Sequence, residues 1–185
     1  TVLASIEEQG KLTEELRAQI LAAETQVAVD DLYRPYRPKR RTRATIAKEK
    51  GLEPLANLIL LQKMTETPLE EAKKYINPEK EVNTAEDALN GAKDILAESV
   101  SDNADFRTHI RELTMKHGQL LSAAKDPEAE SVYEMYYEFS ESLSKLAGHR
   151  ILAISRGEKE KFLTVKIDAP VDRILSYLDR KLITA

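Results

Sequence analysis

Ten consecutive residues, Arg34-Pro-Tyr-Arg-Pro-Lys-Arg-Arg-Thr-Arg43, could do chemistry that the rest of the chain could not. Arg34, Arg37, Lys39, Arg40, Arg41 and Arg43 are cations with no acid between them, in a chain whose formal net charge is -4. A local excess of this kind repels itself unless anions meet it. Lys and Arg neutralise phosphates and release counterions, which makes such binding salt-dependent. The planar guanidinium fork also matches phosphate geometry. Tyr33 and Tyr36 lie among the cations, and aromatic faces can stack on unpaired bases. Lys48, with Lys50, extends the positive run onto the segment that follows. The bland alternative is that Asp30, Asp31 and more distant acids pair with these arginines in a structural junction, with the tyrosines in a core. The nucleic-acid-binding candidates are therefore Arg34, Arg37, Lys39, Arg40, Arg41, Arg43 and Lys48, and RNA or single-stranded DNA is the partner they would serve.

Other chemistry finds little support. His109, His117 and His149 have no neighbours at zinc-type spacing, so no metal is expected. Glu14, Glu15, Glu70 and Glu71 sit where helices begin, where acids complement the helix dipole. There is no glycine-rich phosphate loop and no nucleophile elbow. The absence of cysteine excludes disulfides and thiolate chemistry, and fits a reducing, cytoplasmic setting. A non-enzymatic protein without a cofactor is the expectation. No apolar run approaches bilayer-spanning length, so no membrane is expected. The first residues, Thr1-Val-Leu-Ala-Ser, are neither an initiator methionine nor a signal peptide, and the chain reads as a piece of a longer protein.

The elements that must position the cations are mostly helical. A chain of 185 residues with 42% hydrophobic and 32% charged residues can bury one substantial core or two smaller ones. Thr13 caps a helix whose Leu16, Ile20, Ala23 and Val27 share a face. Pro35 and Pro38 interrupt regular helix, placing the cations on an extended connector or a ragged helix end. Thr42 caps the next helix, through Ile46 to Lys50, and Gly51 stops it. Further helices are expected over 53–62, 68–76, 85–100 and 104–117, capped by Thr67, Thr84 and Asn103 among others. The longest pattern begins at Pro127, runs through Val132, Tyr136, Phe139, Leu143 and Leu146 until Gly148 interrupts it, and is also read as helix. His149–Glu158 has an apolar middle that fits helix or strand and is read as helix, with Arg150 and Arg156 as salt-bridge anchors in preference to an anion grip. Phe162–Ile167 and the weaker Gln119–Ser122 read as strands that could pair. A last helix begins at Pro170. The expected fold class is thus all-α, a multi-helical bundle-like array with one small two-stranded β ribbon. The expected domains are a helical unit at 1–64 carrying the basic connector and a central helical unit at 65–185.

The run from Asp31 to Ala56, with its Leu-Tyr-Arg-Pro-Tyr-Arg-Pro-Lys-Arg-Arg-Thr-Arg core, closely resembles the N-terminal region of the bacterial transcription accessory protein Tex family. The stretch His149-Arg-Ile-Leu-Ala-Ile-Ser-Arg-Gly-Glu-Lys159 resembles the same family, in matching order and separation. The resemblance implies a multidomain, largely helical cytoplasmic protein related to a eukaryotic transcription elongation factor. It implies an RNase H-like domain, a helix-hairpin-helix module and an OB-type RNA-binding domain elsewhere, none of them in this chain. In such proteins nucleic-acid binding is attributed chiefly to the OB domain, and the family brings no catalytic residue to carry over. The leading expectation is a nucleic-acid-binding transcription factor fragment that makes sequence-independent phosphate contacts. The alternative is a structural scaffold that positions RNA-binding domains or docks a transcription-machinery protein, with an exposed apolar patch near the last helix.

Overall fold

The computed structural model describes residues 1–184. It is mostly helical, with one small antiparallel sheet, as expected from the periodicity. Two compact units account for the chain. The first comprises Thr1–Thr108 together with the described residues from Arg180 on, and the second is His109–Asp179. The expected boundary at residues 64 and 65 falls inside the first unit. There Ala72, Val82 and Ala88 share one apolar cluster with Leu52 and Leu55.

The first unit begins with α1 (Val2–Glu8), α2 (Glu14–Ala22) and α3 (Gln26–Tyr33). They enclose Ile6, Leu16 and Ile20, with Tyr33 and Tyr36 packed against them. The expected continuous face from Leu16 to Val27 is broken. Ala23 is extended, Thr25 caps a new helix by accepting from the Ala28 amide, and Val27 is exposed. A hydroxyl that satisfies an orphan amide is a local start signal, and here it overrides the apolar spacing. The basic connector follows, first as a short 3-10 turn over Arg34–Tyr36 and then extended. Next come α4 (Arg43–Glu49), α5 (Glu53–Leu61) and α6 (Pro68–Ala72). Gly51 takes a left-handed φ of 79°, which a side chain rarely adopts, and so ends α4.

The eighteen-residue α7 (Ala85–Asp102) is the spine of this unit, and α4, α5 and α6 all pack on it. Thr84 and Asp87 form a reciprocal capping box at its start. Ala88, Ala92 and Ile95 recur at steps of four and three, which turns one α7 face into the larger apolar cluster. The helix α8 (Ala104–His117) follows after a single break at Asn103, whose side chain accepts the Phe106 amide at 3.0 Å.

In the second unit, β1 (Gln119–Ala124) lies between β2 (Glu138–Ser142) and β3 (Leu163–Asp168), all antiparallel. Ser122 faces Phe139 on one side and Val165 on the other. The sheet has three strands where a two-stranded ribbon was expected. The third, β2, falls in the stretch read as the longest helix, from Pro127 to the residue before Gly148. That stretch is instead a 3-10 turn over Glu134–Tyr136 followed by the strand. Tyr133 and Tyr136 fill the core with Ile154 and Leu163, so aromatic residues three apart serve a turn and not a helix face. The Ser122 hydroxyl donates to the Tyr136 carbonyl at 2.8 Å and satisfies a buried polar pair behind the sheet. As expected, 149–158 is helical, within α9 (Gly148–Lys159), which packs against β3. Finally α10 (Val171–Leu182) runs from the second unit into the first.

Candidate nucleic-acid interface

All seven candidate cations are exposed and lie in the first unit, on the connector and α4. They divide into two sets. Arg34 donates from Nε to Asp102 Oδ1 at 3.0 Å, and Lys39 Nζ pairs with Asp102 Oδ2 and lies 3.5 Å from Glu98 Oε1. Arg41 lies 2.7 Å from Glu49, with both side chains more than half exposed. Such a surface pair contributes roughly 0–1 kcal/mol and exchanges readily. Arg37, Arg40, Arg43 and Lys48 form no ion pair among the described residues. Lys50, the extension considered with Lys48, lies 3.7 Å from Glu81.

The acids that meet the first set come from one face of α7. Asp94, Glu98 and Asp102 are spaced by four, so successive turns carry them in a row. A cavity of about 540 Å³ is lined by this row and by Arg34, Arg37, Lys39 and Arg43. Asp102 is the last residue of α7 and its side chain is only 10% exposed. A carboxylate at a helix C-terminus opposes the macrodipole, and a buried one loses its hydration. Two cations on one carboxylate answer both costs.

A second, oppositely arranged pair lies beside it. Arg107 donates from Nε to Asp31 Oδ1 at 2.9 Å and from Nη1 to the Ser101 carbonyl at 3.1 Å. Asp31 is 5% exposed. Asp31 and Arg34, three residues apart, thus meet Arg107 and Asp102 from the junction of α7 and α8. The anticipated pairing of connector cations with the protein's own acids therefore exists for Arg34, Lys39 and Arg41, through Asp102, Glu98 and Glu49. Asp30 instead accepts from Gln26 at 3.0 Å. Sequence reasoning missed Asp102 and Arg107. The only signal for them was their place at a helix junction, and their partners lie 68 and 76 residues away.

The tyrosines stand on the bland side. Tyr33 and Tyr36 are half-buried against Ile6, Leu16 and Ile20, and the Tyr33 hydroxyl is 3.0 Å from Ser5 Oγ. The histidines are dispersed in the second unit. His109 stacks on Tyr177 with ring centroids 3.8 Å apart. His117 is held below the ordinary histidine range by partial desolvation first, and then by Arg173 and Lys116. Of the expected anchors, Arg150 pairs with Glu141 at 2.9 Å, while Arg156 makes no ion pair among the described residues. No group of three or more His, Asp or Glu among them is placed to hold a metal ion. None of their helices is long and apolar enough to cross a membrane.

Comparison with known proteins gives this arrangement its class. The Tex central region-like family matches residues 63–180, most of the chain. Protein tex of Bordetella pertussis is 44% identical over 174 residues, covering 92% of this chain and 22% of that protein. Protein YdcI of Bacillus subtilis is 48% identical over 185 residues, covering 98% of this chain and 26% of its own length. The chain therefore belongs to the Tex family and spans about a quarter of the length of these relatives. More distantly, a human protein named S1 RNA-binding domain-containing protein 1 is 32% identical over 178 residues, covering 91% of this chain and 18% of that protein.

Proposed function

We propose that this chain is a non-catalytic, cytoplasmic part of a transcription accessory factor, and that its basic connector makes sequence-independent phosphate contacts with RNA or single-stranded DNA. The observation that carries this reading is the exposure of Arg37, Arg40, Arg43 and Lys48 without an ion-pair partner among the described residues. Exposed cations held on a short ordered connector meet a phosphate backbone without losing a protein contact. The names of the relatives, a transcriptional accessory protein in Neisseria gonorrhoeae and an S1 RNA-binding domain-containing protein in human, agree with it. Fluorescence anisotropy with a labelled oligouridylate across a salt series tests it. Replacing these four cations by Gln should weaken binding at least about a hundredfold at ~50 mM salt and flatten the log–log salt slope by about 2.8, about 0.7 for each phosphate lost on a single strand. Binding that ignores salt, or that survives the fourfold replacement, would refute the reading.

A second reading has its own observation. In the first unit, Ile59, Leu60, Met64, Leu96, Val100 and Ile183 line an apolar groove of about 410 Å³. Leu60 is 49% and Ile183 59% exposed. Exposed apolar surface of this kind fits a scaffold that docks another domain or a transcription-machinery protein.

A further inference from the structure

We infer that Asp102 is a positioning residue that withholds two of the seven cations from an external polyanion, so that it sets both the affinity and the salt dependence of the connector. The inference rests on the phosphate-binding reading above and assigns the cations different roles within it.

The argument starts from charge and burial. Arg34 and Lys39 bracket Arg37, and both end on the two oxygens of one carboxylate. That carboxylate side chain is 10% exposed, whereas Glu49, the partner of Arg41, is 52% exposed. An exposed partner can be replaced by a phosphate at little cost. A buried one cannot, because drawing its cations away leaves an unpaired charge in a poor solvent, at the negative end of α7. Lys39 is held twice, since Glu98 is also within 3.5 Å. Arg34 and Lys39 are therefore already neutralised in the free protein and release few further counterions on binding. Arg37, Arg40, Arg43 and Lys48 carry the phosphate contacts, with Arg41 joining by exchange from Glu49.

Asp102 thus has two opposed effects. It ties both ends of the Arg34–Lys39 loop to α7, and together with Glu98 it cancels the charges of Arg34 and Lys39. Asn at the same position separates them. Its carbonyl oxygen can still accept from Arg34 Nε, which keeps the loop in place, but the negative charge is gone. The Arg34 charge then joins the surface, while Glu98 still meets Lys39.

The test compares the intact chain with its Asp102→Asn variant, using fluorescent oligouridylate and oligothymidylate of equal length between about 50 and 200 mM salt. The variant should bind roughly tenfold tighter at the low-salt end. Its log–log salt slope should steepen by about 0.7, one more phosphate on a single strand. Single replacements provide a second readout that does not depend on Asp102. Arg34→Gln and Lys39→Gln should leave the slope unchanged, and Arg40→Gln should flatten it by about 0.7. Equal or weaker binding by Asp102→Asn, or equal slope losses from Arg34→Gln and Arg40→Gln, would overturn the inference while leaving the phosphate reading intact. Binding by the variant alone would overturn the phosphate reading of the intact chain and the role given to its four open cations. No binding by either protein would overturn both.

Discussion

The connector at 34–43 and the helix α9 both carry the family resemblance, yet they use their residues in opposite ways. On the connector the distinctive residues are outside, and what fixes them is elsewhere, in Asp102 and Glu98 on α7. On α9 the distinctive residues build the second unit. Ile154 is 2% exposed and Gly157 is buried, while Leu152 on the other face is 71% exposed. One segment is a surface held by long-range charge, and the other is a core element held by shape. A recurring sequence pattern therefore does not say which of these it encodes. Burial does.

The contrast predicts its largest effect in stability. Ile154→Ala and Leu163→Ala each remove a buried side chain that has no room to be replaced, and should cost about 2–5 kcal/mol. Arg37→Ala and Arg40→Ala remove exposed side chains and should stay within about 0.5 kcal/mol. Urea unfolding of the four variants reads both numbers directly. Comparable losses in the two sets would mean that the connector is structural after all.

A smaller effect tests shape alone. A Cβ on Gly157 would lie 2.6 Å from Leu163 Cδ1 and 3.1 Å from Tyr133 Cδ1. Leu163 is fully buried and Tyr133 nearly so, so neither can step aside. Gly157→Ala gains about 1 kcal/mol in helix propensity, but overpacking of this severity costs more. A net loss of about 1–2 kcal/mol is expected, seen as a lower urea midpoint with an unchanged slope. A neutral or stabilised variant would show that the α9 interface is loose.

These cases also show what could be read beforehand. Caps were legible, because a hydroxyl and an amide three residues apart form a local device: Thr13, Thr42, Thr67 and Thr84 all accept as expected. The strand from Leu163 was legible from its short β-branched run, whereas the apolar middle of α9 fits helix or strand alike. The segment 132–146 was not legible. Its tyrosines and Phe139 stand at helical spacing by coincidence, and what decides the outcome is pairing of β2 with β1, a contact between distant residues. The split of the cations into held and open sets was equally hidden. Nothing near Arg34 or Lys39 in sequence marks Asp102 as their partner, whereas Arg41 meets an acid only eight residues away.

The smallest effect concerns how each segment is joined to its helix. The connector ends on Thr42, whose Oγ1 accepts the Thr45 amide at 3.1 Å and lies 2.9 Å from Thr45 Oγ1. The helix it starts, α4, has only seven residues, too few to be stable without its cap and its packing on α7. By contrast the N-cap of α9 is Ala147, extended at φ -73° and ψ 144°, with no side chain to accept an amide, and the cation Arg150 lies near the helix start. Thr42→Ala should therefore lose about 1 kcal/mol, and Ala147→Asp should gain a similar amount, in the same urea experiment. The two changes differ in a further way. Fraying α4 displaces Arg43 and Lys48 and should weaken oligonucleotide binding, while capping α9 should leave it unchanged. If Ala147→Asp altered binding as much as Thr42→Ala did, the assignment of surface to one segment and core to the other would fail.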